Sequence, residues 1–281
     1  MATDSNPRNS IPNSSAEPSS PHIASQHAPG PLTDQSLFQL LAWSSPGYPT
    51  GAFSYSHGLE WAVETGDVTN LLTLLDYVTA VLSRGGAWVD AVLFAHTWRA
   101  APDAATPDVA TPDAATPDAA TLGLATPDAA TLDSLSELAS AFRGSSETAL
   151  ESRQQGSAFL DVTRKAWPHP TLDNFAQRHT GQPVAHCVTV AVACAAHNIA
   201  LTPALHAYLH AVAANLVSAG ARLIPLGQTQ AQIAIARLSP ILTDVVEHAL
   251  KTSLDDLGTA APAIELCSLR HETQYTRLFR S

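Results

Sequence analysis

The chain is poor in several residue types, and each shortage closes off a class of function. In 281 residues it has one methionine, three cysteines and two lysines (Lys165 and Lys251), and only 14% of its residues are charged. The net charge of −11 argues against nucleic acid, which rewards clustered Lys and Arg. The cysteines Cys187, Cys194 and Cys267 are odd in number, and two of them lie in an apolar run. That is the pattern of buried thiols in a reducing cytosol, not of a disulfide framework. No apolar segment follows Met1, so no signal peptide is expected and the chain reads as cytoplasmic. The longest apolar stretch, 184–200, is interrupted by His186, His197 and Asn198. It is too short to span a bilayer and reads as a buried core helix. GxSxG, HExxH and GxxxxGK followed by Ser or Thr are all missing, so no hydrolase elbow, zinc protease site or P-loop is expected, and no enzyme.

Two segments stand apart by composition. Residues 1–31 carry prolines at 7, 12, 18, 21, 29 and 31 among many Ser and Asn, and cannot bury enough apolar surface to offset their ordering entropy. Residues 101–133 hold a degenerate pentapeptide repeat, "TPDVA TPDAA TPDAA TLGLA TPDAA", with six aspartates and no basic residue. A proline every fifth residue breaks helical hydrogen bonding, and a five-residue period fits neither helix nor strand. Both segments are expected to be disordered. The loop's closure entropy, on the order of 2 kcal/mol, is one that a good core can carry. With those aspartates set aside, 19 acidic residues face 14 basic ones, an unremarkable balance.

The rest, 32–281 without that loop, predicts a single-domain, all-α bundle of about ten helices with buried central helices. Thr33 to Ser36 open the run "LFQLLAW", and Asn70 opens "LLTLLDYVTAVL". "AWVDAVLFAHTWRA" follows the break at Gly85-Gly86. A long polar-faced helix over 146–167 stops at Pro168 and Pro170, and a short one covers 171–179. Segments 184–198 and 202–219 are apolar all round and predict fully buried helices. Segments 228–237 and 240–254 complete the bundle, and no period-2 segment predicts a sheet.

Three stretches are candidates for function. "SPGYPTGAFSYSHGLEWAVETG", 45–66, places Gly51, Phe53, Tyr55, His57 and Glu60 in a rigid loop before a helix expected to start near 54–56. It reads either as a helix connection with aromatic staples or as a recognition loop. "AGARLIPLGQTQAQ", 219–232, sets Arg222, Pro225, Gly227 and Gln228 at a helix junction, where Arg222 either caps carbonyls or faces a partner. Metal-type spacings are thin. His206 and His210 stand at i, i+4 without a third ligand, His57 and Glu60 at i, i+3, and Cys187, Cys194 and His197 share the apolar run, so no metal site is expected.

The third stretch is "SLRHETQYTRLFRS", 268–281. Burying Tyr275, Leu278 and Phe279 would stabilise by roughly 1.5–3 kcal/mol each. Ordering the last seven residues costs about 1–2 kcal/mol apiece. The two nearly cancel, so the tail suits one part of a larger interface, with packing on its own bundle as the alternative.

These three stretches resemble the urease accessory protein UreF family, in order and spacing, over 36–100 and 135–281. Thr276 stands where Ser is expected, and the repeat loop has no counterpart. The resemblance implies an all-α fold, a homodimer, and a urease-maturation adaptor in complex with UreD (also called UreH) and the GTPase UreG. That complex docks on apo-urease and helps insert nickel. It also implies that Arg270, His271, Glu272, Tyr275, Arg277, Leu278, Phe279 and Arg280 contact UreD, so that the tail is apolar because another chain buries it. Regulation of GTP hydrolysis by UreG, with Arg222 as the available arginine, is the alternative, and a nickel relay through His and Cys side chains a minor one.

Overall fold

The computed structural model describes residues 32–102 and 129–281, together with Met1. The two segments expected to be disordered lie outside the described residues, apart from the ends of the repeat loop.

Eleven α-helices and two short 3-10 turns make up the described residues, and no strand is found among them. The first is α1 (Asp34–Trp43), capped by the Thr33 hydroxyl, which accepts the Ser36 N–H. A 3-10 turn (Ala52–Ser54) leads to the short α2 (Leu59–Glu64). Helix α3 (Leu71–Arg84) begins in a capping box between Asn70 and Thr73, and α4 (Gly86–Ala100) follows the Gly85 break. Together α3 and α4 are long and apolar enough to cross a membrane, but they are two helices, and their most apolar window is mostly buried in the protein.

Helix α5 (Ala129–Ala141) corrects the expected loop boundary: residues 129–133 are its first turns. From 128 to 167 the chain is free of proline, and Leu132, Leu135 and Ala139 form a buried stripe at helical spacing. Helix α6 (Ser146–Ala166) opens with Ser145 and Thr148 capping each other's backbone and ends before Pro168. Helix α7 (Pro170–Arg178) starts on a proline, with His169 as its cap.

The centre of the molecule is α4 packed on α8 (His186–Ala196). Every residue of α8 from Cys187 to Ala196 is buried, and so is all of α4 beyond Gly86 except Trp88 and Arg99. Both read as apolar nearly all round, as helices enclosed on every side do. Helix α9 (Leu201–Leu223) was expected to be fully buried and is not: His210 and Ser218 are exposed, His206 is half-buried, and one face alone reaches the core. Helix α10 (Gln228–Ala249) joins two segments expected to be separate, with Pro240 inside it. The proline removes one hydrogen bond at a cost of about 3 kcal/mol. Its buried stripe of Ala231, Ala234, Leu238, Leu242, Val245 and Ala249 nevertheless runs past Pro240 without a break, and continuous burial offsets the loss. Helix α11 (Pro262–His271) lies across α2 and the start of α6.

Close approach fixes α6 against α8. A Cβ on Gly156 would sit 2.1 Å from the carbonyl oxygen of Val184. Backbone cannot yield there as a flexible side chain would. Gly156→Ala is therefore expected to cost about 3 kcal/mol or more and to lower the melting temperature by roughly 5–10 °C, measured by calorimetry or circular dichroism.

Candidate functional site

The loop over 45–58 and the tail over 272–281 meet on the outside of the bundle. The loop is held in a tight path: Gly51 (φ 77°), His57 (φ 53°) and Gly58 (φ 77°) all take left-handed backbone conformations. A Cβ on Gly58 would lie 2.5 Å from the backbone nitrogen of Ser268, so only glycine lets α2 approach α11. The two consecutive left-handed residues also explain why α2 starts at Leu59 and not near 54–56.

Glu60, 7% exposed, is the anchor of the tail. Its Oε1 accepts the Leu278 N–H at 2.6 Å, its Oε2 accepts the Phe279 N–H at 2.8 Å, and His271 Nε2 lies 3.0 Å from the same Oε2. The fully buried His271 ring reaches Glu147 with its other nitrogen, Nδ1, at 2.7 Å. Arg277 donates to the other Glu147 oxygen at 2.7 Å. Ser56 N–H donates to the Ser281 carbonyl at 2.7 Å and Arg280 N–H to the Ser54 carbonyl at 2.8 Å, a short backbone pairing between loop and tail.

Phe279 is 4% exposed, with the Arg222 guanidinium 4.4 Å above its ring. Arg222 also donates to the Phe53 carbonyl at 2.9 Å, which ties the end of α9 to the loop. Glu151, four residues after Glu147 on α6, accepts from Ser281 Oγ at 3.0 Å and from Gln155 Nε2 at 2.8 Å, and meets His57 Nε2 at 2.9 Å. Tyr55 and Arg280 both bond Gln154. Glu272 accepts the Ser146 N–H at 2.8 Å at the start of α6.

The site residues expected from sequence therefore divide. Phe53, Tyr55, His57, Glu60, His271, Glu272, Arg277, Phe279, Arg280 and Arg222 come together in one network, and Gly51 shapes the loop. Arg270 and the fully exposed Tyr275 stay in solvent, Leu278 is 65% exposed, and Pro225, Gly227 and Gln228 lie apart at the α9–α10 junction. The tail is divided: Phe279 and His271 are enclosed by this chain, as the self-packing alternative expects, while Tyr275 and Leu278 are left exposed. His57 and Glu60 do not face a common point, since His57 meets Glu151 and Glu60 meets His271. Sequence reasoning missed Glu147, Glu151 and Ser56. Their signal was present as i, i+4 pairs: Glu147–Glu151–Gln155 on α6, and Ser56–Glu60 inside the glycine-rich motif.

Around the tail, Leu266, Leu269, Leu278, Tyr275 and Phe53 are exposed. The ionisable groups of this network are engaged with one another, and an apolar rim surrounds them.

Glu60→Gln leaves at most one good acceptor for three donors and an uncompensated His271. It is expected to destabilise the protein by about 3 kcal/mol or more and to abolish hydrogen-exchange protection at the Leu278 and Phe279 amides. Two histidines act on stability in opposite directions with pH. Burial works against charge on His57, but the Glu151 carboxylate outweighs it and raises its pKa. Its contribution is full below about pH 6.5 and is lost as pH rises through the raised value. Burial pushes His186 down to about 4, so it folds neutral. Its contribution is full above about pH 6.5 and falls by at most about 3 kcal/mol as pH drops toward 4. Urea unfolding against pH should peak near neutrality, and His186→Phe should flatten the acid limb.

A family model described as UreF matches residues 68–239. The urease accessory protein UreF of Granulibacter bethesdensis is 48% identical over 250 residues, covering 88% of this chain and 95% of the relative. That of Rhodopseudomonas palustris strain BisB5 is 44% identical over 246 residues, covering 88% and 91%. That of Bradyrhizobium sp. strain BTAi1 is 41% identical over 261 residues, covering 93% and 98%. Identity of this extent over nearly the whole of each relative settles kinship: the chain belongs to the UreF family.

Proposed function

We propose that the protein is a urease maturation adaptor whose loop-and-tail surface docks on UreD (UreH), in a complex that also carries UreG and engages apo-urease. The relatives' shared name, urease accessory protein, supports the role in urease maturation. The observation that carries the docking reading is the exposure of Tyr275 at 103%, Leu278 at 65% and Phe53 at 65% beside a tail fastened from below. Large apolar and aromatic side chains grouped on a preorganised backbone are what a partner buries with little ordering entropy left to lose. Leu266 and Leu269 extend the same face along α11. A second exposed apolar face, Leu37, Phe38 and Leu41 on α1, gives an adaptor room for another contact, such as the homodimer.

The internal docking of the tail reassigns its roles. Phe279, His271 and Glu60 position the surface, while Tyr275 and Leu278 make the contact. Arg222 is engaged with Phe53 and Phe279, which leaves the adaptor reading ahead of one in which it serves as a catalytic arginine.

Tyr275→Ala with Leu278→Ala should leave the melting temperature within about 2 °C of the unmodified chain, because neither side chain is buried. Capture of UreD in co-purification should weaken by about 30-fold or more, with parallel loss of urease activation. Undiminished capture by this double variant would overturn the reading.

A further inference from the structure

The exposed apolar residues of the loop-and-tail face are interleaved with arginines. Arg222 donates to the Phe53 carbonyl at 2.9 Å and covers the Phe279 ring. Arg277 precedes Leu278 in the chain, and Arg280 follows two residues later. Arg270 comes directly after Leu269, in the last turn of α11. All four arginines are exposed. Among the described residues only one of them, Arg277, has a carboxylate partner, Glu147 at 2.7 Å. Arg280 reaches the neutral Gln154 at 3.3 Å, and Arg222 bonds the carbonyls of Ser218 and Phe53. Burial lowers the Arg222 pKa, and no carboxylate acts against it.

The acids of the same region are turned inward or already engaged. Glu60, Glu147 and Glu151 are buried and hold the tail. Glu272 accepts both the N–H and the hydroxyl of Ser146, each at 2.8 Å. Glu64 and Asp67 come a turn or more beyond Glu60, with Asp67 bearing on Cys267, and Glu265 accepts from the Thr259 hydroxyl. A chain with a net charge of −11 therefore carries a locally basic docking face. A partner that covers Tyr275 and Leu278 also strips water from the arginines beside them. A guanidinium that loses water without gaining an opposite charge opposes binding. A carboxylate answers it best, through two parallel N–H donors. Arginine alternating with aromatic and aliphatic anchors is the composition of a protein interface, whereas a surface for phosphates concentrates charge alone.

We propose that this face binds an acidic protein surface, whose carboxylates stand opposite Arg222, Arg270 and Arg280 around an apolar patch that takes Tyr275 and Leu278. The inference rests on the docking reading above and adds the chemistry of the partner's surface to it.

Association of the full chain with immobilised UreD is followed between about 50 and 300 mM salt, a range over which screening strengthens. The association rate should fall by about tenfold or more across it. At the low-salt end Arg270→Glu and Arg280→Glu should each slow association by roughly three- to tenfold. Arg237→Glu makes the same change in net charge on α10, which packs on α3, α4 and α9, and should slow it by less than about twofold. Melting temperatures are measured for all three variants, and if Arg280→Glu loosens the tail, Arg270→Glu decides. Association that ignores salt, or Arg270→Glu no slower than Arg237→Glu, would overturn the proposal. So would vesicles containing phosphatidylserine that bind the unmodified chain but not Arg270→Glu, since the face would then belong to a membrane. The two readings fail differently. Undiminished capture by Tyr275→Ala with Leu278→Ala removes the docking reading and this inference with it. Loss of capture there, with normal association of the charge variants, removes the acidic surface alone.

Discussion

One buried carboxylate governs the outer face of this molecule. Glu60 meets two consecutive backbone N–H groups from the tail and the His271 ring. A carboxylate removed from water needs such donors, and backbone amides next to a tail need an acceptor that does not move. Each requirement is met by the other. Glu147 adds a second carboxylate between His271 and Arg277, so that the buried ring is held between two acids. The loop, α2, α6 and α11 are all held by this arrangement, and the exposed side chains of the tail take their positions from it.

Beneath that face lies a rigid floor. Helices α4 and α8 are enclosed on all sides, and Gly156 brings α6 within backbone contact of the start of α8. Glu147 and Glu151 therefore project from a helix that cannot shift sideways without a clash. A binding surface built on so fixed a helix loses little entropy when a partner arrives.

Much of the fold was legible because its signals are local. Thr33 and Asn70 mark helix starts, and they do so in the structure. The apolar run of α8 announced a buried helix for the same reason. The failures were tertiary. Pro240 reads as a break until its flanking stripe is seen to lie on one continuous face. Helix α9 reads as wholly buried because alanine fills even its outward side, and alanine is indifferent to burial. The start of α5 was hidden by the repeat that precedes it. The three motifs that compose the surface were visible as motifs, but not that two of them pack on each other. Phe279 finds Glu60 across 219 residues, a distance over which no periodicity carries information. Glu147 and Glu151 were readable only as a spacing, and carboxylates at that spacing on a helix are usually solvated.

That same separation has a temporal side. During synthesis Glu60 emerges long before residues 278 and 279, a delay of roughly 10–40 s at ordinary elongation rates. Through that interval its carboxylate has no partner, and burying it alone would be unfavourable by several kcal/mol. Helix α2 must therefore wait in water while α4, α8 and the rest of the core assemble. The surface that a partner would meet is the last part of the protein to take shape, and a nascent chain still lacking its tail has no finished face to offer.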